Sequence, residues 1–413
     1  MVLHHWVDFI SASVKNARML NQNLPATPAN RLKVMECLLG HGFMARNELG
    51  QKTGLSAATV SETVSALMSE GLVVAQKATG STRGRPAQVI GVNAMAGHVV
   101  GIKLSMHEAT LALTNFAGEA LGSTKIAHPP GGLDATQSAV RIGDGVLQLI
   151  GAAGLSAGDI AGIGVGMPGF VESASGRCLW SPVFAQGAES FATWLSHITS
   201  IAVAVENDVN LVTLAERWFG EGRGVDHFMV ITLEHGLGMG LFLNGELYAG
   251  PNGLAAEFGH VIVEREGALC RCGRKGCLEA YVSDGALARQ AAQLMERPIP
   301  ADGLEVHELV DEMTRRALQG EPALRILIAQ AGLRLGRETA NIANILAPQR
   351  IIVTGEAMRA EDLLMRPFTD GFHGSLLPML REQTQIVWHK TSDEVWAKGA
   401  AARVLRAKFA GPR

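Results

Sequence analysis

The sequence predicts a mixed α/β protein: a small winged helix-turn-helix module followed by two α/β lobes that face each other across a cleft. Three observations carry this reading. Between Arg31 and Met68, three short runs of helical apolar spacing are separated by glycine breaks, and two strand-like runs with a basic turn between them follow. From Gly97 onward, β-branched runs alternate with helical stretches and end in glycine-rich turns, as the strands of α/β lobes do. Three of the five cysteines, with a histidine just upstream, fall between Leu254 and Ser283 and mark a built site in the second lobe. The expected limits are 1–93 for the front module, 97–209 for the first lobe completed by a closing helix at 391–408, and 210–390 for the second lobe.

The chain of 413 residues is 47% apolar and 18% charged, enough to bury more than one core. Its net charge of −3 gives no sign of nucleic-acid binding by the whole, but the charge is uneven. Residues 1–92 hold nine Lys/Arg against five Asp/Glu, a surplus of +4 that leaves −7 for the rest. No apolar run approaches the ~18 residues of a membrane helix. Met1–Asn30 lacks the charged, apolar, small-residue order of a secretory signal, so the cytoplasm is the expected compartment.

Taken in order, Met1–Met19 predicts a short amphipathic helix through Trp6, Phe9, Ile10 and Val14, and Asn21–Asn30 a polar loop. Arg31–Gly40 and Ala45–Thr53 predict the first two helices of the module, the second with Leu49 inward. Gly54 breaks the chain, and Ser56 is placed to cap a third helix that runs to Met68. That helix turns Val60, Val64 and Leu67 inward and Ala57, Ala58, Thr59, Ser61, Glu62 and Ser65 outward. Small outward residues let a helix lie deep in a major groove. An ordinary three-helix core would explain the helices alone. The hairpin that follows favours double-stranded DNA: Gly71–Val74 and Gln88–Val92 flank Ser81–Pro86, whose Arg83 and Arg85 suit phosphate or minor-groove contact. The candidate DNA-binding residues are Ser56, Ala57, Thr59, Ser61, Arg83 and Arg85.

Beyond Gly97, Val99–Leu104 and Ala109–Thr114 predict strands, Thr136–Ala153 a helix, and Ile160–Val165 a strand ending in Gly166-Met-Pro-Gly169. Ile201–Val205 predicts a strand and Glu206-Asn-Asp-Val-Asn210 opens a helix through Trp218. Phe228–Leu233 predicts a strand leading into a glycine-rich turn, Gly236-Leu-Gly-Met-Gly240, after which Leu241–Leu243 resumes it. Residues 281–345 read as mostly helical, Arg350–Thr354 as a strand and Val395–Ala407 as a closing helix.

The cysteine segment runs Glu257-Phe-Gly-His260, then Cys270-Arg-Cys272-Gly-Arg-Lys-Gly-Cys277-Leu-Glu279. Three thiolates and one imidazole suit a closed tetrahedral zinc site with no open position for water. A disulfide fits less well, because Cys270 and Cys272 are too close for an easy bridge. Glu257 and Glu279 bracket the set and either face solvent or line a pocket that accepts hydrogen bonds from hydroxyls.

This segment resembles the signature of the ROK family (repressors, open reading frames and kinases), with its E-x-G-H and C-x-C-G-x-x-G-C-x-E pattern. The module at Arg31–Asn93, with Thr53-Gly-Leu-Ser56 and Gly84-Arg-Pro86, resembles the winged module that fronts the family's regulators. The resemblance implies a ribonuclease-H-like fold of the actin and hexokinase type over roughly 97–408. It implies structural zinc on His260, Cys270, Cys272 and Cys277, and a sugar contacted by Glu257, His260 and Glu279. Asn207-Asp208 follows a strand as the family's catalytic base does, so Asp208 takes that place; a helix cap is the plainer account of the pair.

The family's kinases also need two phosphate turns. Where the first should lie, the chain reads Lys103-Leu-Ser105-Met-His107-Glu108, in which side chains replace the paired glycines and Glu108 would repel phosphate. The second keeps Gly236, Gly238 and Gly240, but His235 stands in place of a threonine. The loop after Gly169 lacks the family's asparagine and offers Trp180, which could stack on a sugar or fill the core. The expectation is therefore not an enzyme but a sugar-responsive repressor of carbohydrate uptake or catabolism genes. It would bind an operator as a homodimer or homotetramer, away from any membrane. The rivals are a sugar kinase with a fused DNA module and a regulator answering to a protein partner.

Overall fold

The computed structural model describes residues 27–77, 88–106, 108–128, 134–172, 175–184, 186–300, 303–390 and 393–410. The helix expected at Met1–Met19 lies outside the described residues.

The front module is built from α1 (Pro28–His41), β1 (Met44–Ala45), α2 (Arg46–Thr53), α3 (Ala57–Ser69), β2 (Val73–Lys77) and β3 (Gln88–Val92). Gly54 at φ 68° supplies the left-handed turn between α2 and α3, where a side chain would be strained. Ser56 caps α3, its hydroxyl accepting the Thr59 N–H at 3.2 Å. The second helix opens at Arg46 with Ala45 as its N-cap, as the sequence predicts to within a residue. With Met44, Ala45 forms a two-residue strand pairing Val89 and Ile90, so the sheet runs β1-β3-β2.

Each lobe holds a five-stranded mixed sheet of the same plan: an antiparallel meander extended by two parallel strands. In the first lobe these are β4 (His98–Leu104), β5 (Glu108–Asn115), β6 (Ala120–Ala127), β7 (Ile160–Met167) and β10 (Val203–Asn207), in the order β10-β7-β4-β5-β6. Helices α4 (Ala135–Ala152) and α5 (Phe191–Thr199) belong to it, with a small ribbon of β8 (Phe170–Glu172) and β9 (Arg177–Trp180). In the second lobe, β11 (Phe228–Leu233), β12 (Leu237–Leu243), β13 (Glu246–Tyr248), β14 (Arg350–Thr354) and β15 (Gln385–Trp388) run β13-β12-β11-β14-β15. Its helices are α7 (Glu279–Val282), α8 (Asp284–Leu294), α9 (Gly303–Leu318), α10 (Pro322–Leu346) and α11 (Glu361–Ser375).

Two helices bind the parts together. The closing helix α12 (Asp393–Ala410) crosses β4 and β7 at such short range that a Cβ on Gly101 or Gly164 would strike the carbonyl oxygens of Ala397 and Ala400. Helix α6 (Asp208–Phe219) lies between the lobes, against α12 and β7 on one side and β11 and β12 on the other. The glycine-rich stretch after β11 differs from expectation. Only Glu234–Gly236 turns; Gly238 and Gly240 lie in β12, paired with Thr232 and Val230. A Cβ on either would collide with Val209 or Thr213 of α6, so these glycines serve helix-on-strand packing.

Candidate functional site

A cleft of about 530 Å³ opens between the lobes. Asn207, Asp208, Glu257, His260 and Glu279, the five residues expected to face a sugar, all line it, although they come from three separate segments. They are not equivalent. Asn207 is the N-cap of α6: its Oδ1 accepts the N–H groups of Val209 (2.9 Å) and Asn210 (3.2 Å), and its amide donates to the Gly169 carbonyl (3.1 Å). Its polar atoms are therefore largely committed to structure. Asp208 follows at the first turn of α6; burial raises its carboxyl above the ordinary range, opposed by the Val209 N–H and the Lys103 charge. Glu257 lines the cleft, and partial desolvation between the lobes together with the charges of Glu279 and Asp208 pushes its carboxyl up to about 7. Glu279 is 4% exposed and fully engaged, accepting the Leu237 N–H (3.1 Å) and the Arg271 guanidinium (2.8 and 3.3 Å). Carboxylates in a cleft accept hydrogen bonds, which suits a ligand rich in hydroxyls.

Behind this wall, His260, Cys270, Cys272 and Cys277 bring their ligand atoms within 4.8 Å of one another. Cys270 Sγ lies 3.7 Å from His260 Nδ1, and Cys272 Sγ lies 3.7 Å from Cys277 Sγ. Sulfur ligands placed 2.3 Å from a tetrahedral centre stand about 3.8 Å apart, so the spacing fits a metal ion in the middle. The ring nitrogen on the sulfur side is Nδ1, and His260 also borders the cleft. Burial lowers the His260 pKa, which favours the neutral ring that ligation requires. Burial also pushes the Cys270 thiol up to about 12 and raises that of Cys277, so taking up a cation would release protons here. The four side chains form a set that could hold a metal ion.

Beneath the cleft lies a pairing that the sequence does not show. Lys103, 5% exposed, reaches from the first lobe to Glu234 of the second at 3.4 Å and lies 4.2 Å from the ring centroid of Trp396. Burial pushes the Glu234 carboxyl up to about 7, with Glu356 and Asp208 adding to the effect and Lys103 opposing it. The β4–β5 turn is closed on itself: the Ser105 N–H and hydroxyl both donate to the Glu108 carbonyl (2.9 and 3.0 Å). Glu108 accepts from Lys125 on the next strand (2.6 Å). His107 lies outside the described residues. Trp180 is 49% exposed and borders the cleft 5.6 Å from Phe170, so it is not a core residue. Arg271, which holds Glu279, has a local signal as the basic residue between two ligand cysteines, whereas the partner of Lys103 has none.

On the module, Ser56, Ala57 and Ser61 are exposed along α3. Thr59 is not. It is 4% exposed, its hydroxyl 2.8 Å from that of Ser56, because it shares the inward stripe with Thr63 one turn on and completes the cap. Arg83 and Arg85 lie outside the described residues.

A duplicated, actin-type α/β fold with a winged module in front and an interlobe cleft lined by several carboxylates defines the class. The chain belongs to the ROK family, whose model matches residues 99–407, and a winged helix-turn-helix DNA-binding model matches residues 28–74. A xylose repressor of Caldicellulosiruptor bescii is 29% identical over 333 residues, 79% of this chain and 83% of the relative. The crystal structure of a ROK family transcriptional regulator, described as a homologue of the E. coli MLC protein, matches with a TM-score of 0.76 at 24% identity, over 93% of this chain and 96% of that one. That of a ROK family glucokinase from Streptomyces griseus in complex with glucose and AMPPNP gives a TM-score of 0.61 at 27% identity, over 74% of this chain and 98% of the kinase. No helix among the described residues is long and apolar enough to cross a membrane.

Proposed function

We propose that this protein is a sugar-responsive, DNA-binding transcriptional repressor of carbohydrate uptake or catabolism genes, and not a sugar kinase. The observation that carries the reading is one chain holding both a winged module and a cleft lined by carboxylates, with Lys103 paired to the cleft residue Glu234 in the stretch where a kinase of the family would carry its first phosphate turn. An aspartate such as Asp208 with no phosphate donor held beside it cannot transfer phosphate, but it can still accept a hydrogen bond from a sugar hydroxyl. The similarity to a xylose repressor over most of both chains supports the same direction.

In this reading Asp208 and Glu257 face the sugar, with His260 offering its second ring nitrogen. His260, Cys270, Cys272 and Cys277 hold a structural zinc ion, which when bound fixes the imidazole's direction and anchors the segments carrying Glu257 and Glu279. Ser56, Ala57, Ser61, Arg83 and Arg85 contact a DNA operator, and the protein acts as a cytoplasmic homodimer or homotetramer. The test is incubation with ATP, Mg²⁺ and a panel of hexoses, pentoses and amino sugars, beside thermal unfolding with the same panel. At least one sugar is expected to raise the unfolding temperature with no phosphoryl transfer. Turnover at ordinary kinase rates of ~1–100 s⁻¹ would overturn the reading.

A further inference from the structure

Helices α6 and α12 both start at the cleft and both end under the winged module. Asp208 opens α6 in the cleft wall, and Trp218 lies near its far end, a helix of about 18 Å at 1.5 Å per residue. Trp396 on the first turns of α12 borders the same cleft beneath Lys103, and Phe409 sits at the other end. In the halves nearer the cleft the helices touch backbone to backbone, since a Cβ on Gly399 would strike the carbonyl oxygen of Leu211. At the far end the Trp218 and Phe409 rings stack at 6.1 Å and 16°, both buried.

The module is fastened to that end by polar contacts as well as by a shared apolar core. The Trp218 indole donates to Glu36 of α1 (3.2 Å), and Arg217 pairs with the same carboxylate (3.6 Å). Arg31, also on α1 and 5% exposed, donates from Nε to the Phe409 carbonyl (2.9 Å). Its two terminal nitrogens fork onto Glu70 (2.6 Å each), the C-cap residue of α3. Val34, Met35, Val64 and Leu67 of the module share a buried cluster with Trp218, Leu405 and Phe409. A module swinging on a loose tether would have none of these contacts. Packed elements of this kind shift as units, because close-packed interiors deform discretely.

We propose that α6 and α12 form a two-helix strut through which occupancy of the cleft sets the orientation of the winged module, with Glu36 and Arg31 as positioning residues at its end. The inference rests on the functional reading above and adds the route to it. The experiment uses the full chain, a duplex selected by the wild-type protein from a random pool, and whichever of D-xylose, D-glucose or N-acetyl-D-glucosamine alters wild-type DNA affinity. Sugar affinity is measured by calorimetry, and DNA affinity by fluorescence anisotropy with and without saturating sugar. In E36Q and R31M the ratio of the two DNA affinities is expected to fall at least threefold toward one, with sugar affinity within twofold of wild type. A purely destabilising effect would shift both DNA affinities together and leave the ratio alone. Should R31M not fold, E36Q decides. An unchanged ratio in the folded variants overturns the strut while leaving the functional reading intact. A wild-type protein whose DNA affinity ignores all three sugars removes the reading and the strut together.

Discussion

Replacing Lys103 with methionine tests the clamp across the cleft floor. The substitution keeps most of the volume of a side chain that is 5% exposed, and removes a cation 3.4 Å from Glu234 and 4.2 Å from the Trp396 ring centroid. Losing the cation–π contact costs about 1 kcal/mol. The larger effect depends on pH. Glu234 already has its carboxyl pushed up to about 7, and Lys103 is the group opposing that rise. A carboxyl held above its unfolded range contributes stability that is fully present at acid pH and is lost as pH climbs through the folded value. Without Lys103 that value moves higher still, and each further unit is about 1.4 kcal/mol. The expected loss is therefore about 1 kcal/mol at pH 6, where Glu234 takes a proton, and about 2–3 kcal/mol at pH 8, where a buried charge has lost its partner. Urea unfolding at the two pH values measures it, and the K103M/E234Q double variant should lose the extra pH dependence. Equal losses at pH 6 and pH 8 would refute the reasoning.

Four further outcomes are expected. Purified protein should carry about one zinc per chain by elemental analysis, and Cys272→Ser should lose metal and sugar response while keeping its α/β circular dichroism; a zinc-free wild type or an unaltered response contradicts this. Glu257→Ala should abolish sugar binding in calorimetry yet retain the metal, because its carboxylate is assigned to hydroxyls. Trp180→Ala should weaken sugar binding roughly tenfold, about 1.4 kcal/mol, while changing stability by less than about 1 kcal/mol, as fits an exposed cleft residue. Arg83→Ala should weaken DNA binding on every sequence and lower the slope of affinity against salt by about one, Ser61 substitutions should change sequence preference, and Thr59→Val should cost stability without altering that preference.

The local features of this chain were legible because their signals are local. Gly54, the Ser56 cap and the inward Val60, Val64 and Leu67 place α3 within a residue or so of where it lies. The spacing of His260, Cys270, Cys272 and Cys277 marks a cluster that the fold does assemble. What was hidden lies in pairings remote in sequence. Lys103 and Glu234 are 131 residues apart, and nothing near either indicates that two lobes will bring them together. A two-residue strand such as Met44–Ala45 is too short for periodicity to show. The Gly236–Gly240 stretch read as a phosphate turn because glycine permits close approach of any kind, and only the position of α6 shows what approaches. Thr59 read as outward because a polar residue in the first turn can serve the helix cap as readily as a partner outside, and the Ser56 hydroxyl decides which.

The central claim, that one chain couples a sugar cleft to a DNA-binding module, is tested most directly by titrating sugar into the complex of wild-type protein and its selected duplex. Fluorescence anisotropy at fixed salt reads the DNA affinity at each sugar concentration. The account predicts that one sugar lowers that affinity at least tenfold and saturably, with a midpoint matching its calorimetric affinity for the free protein. A duplex bound equally at all concentrations of every sugar that binds the protein would contradict it.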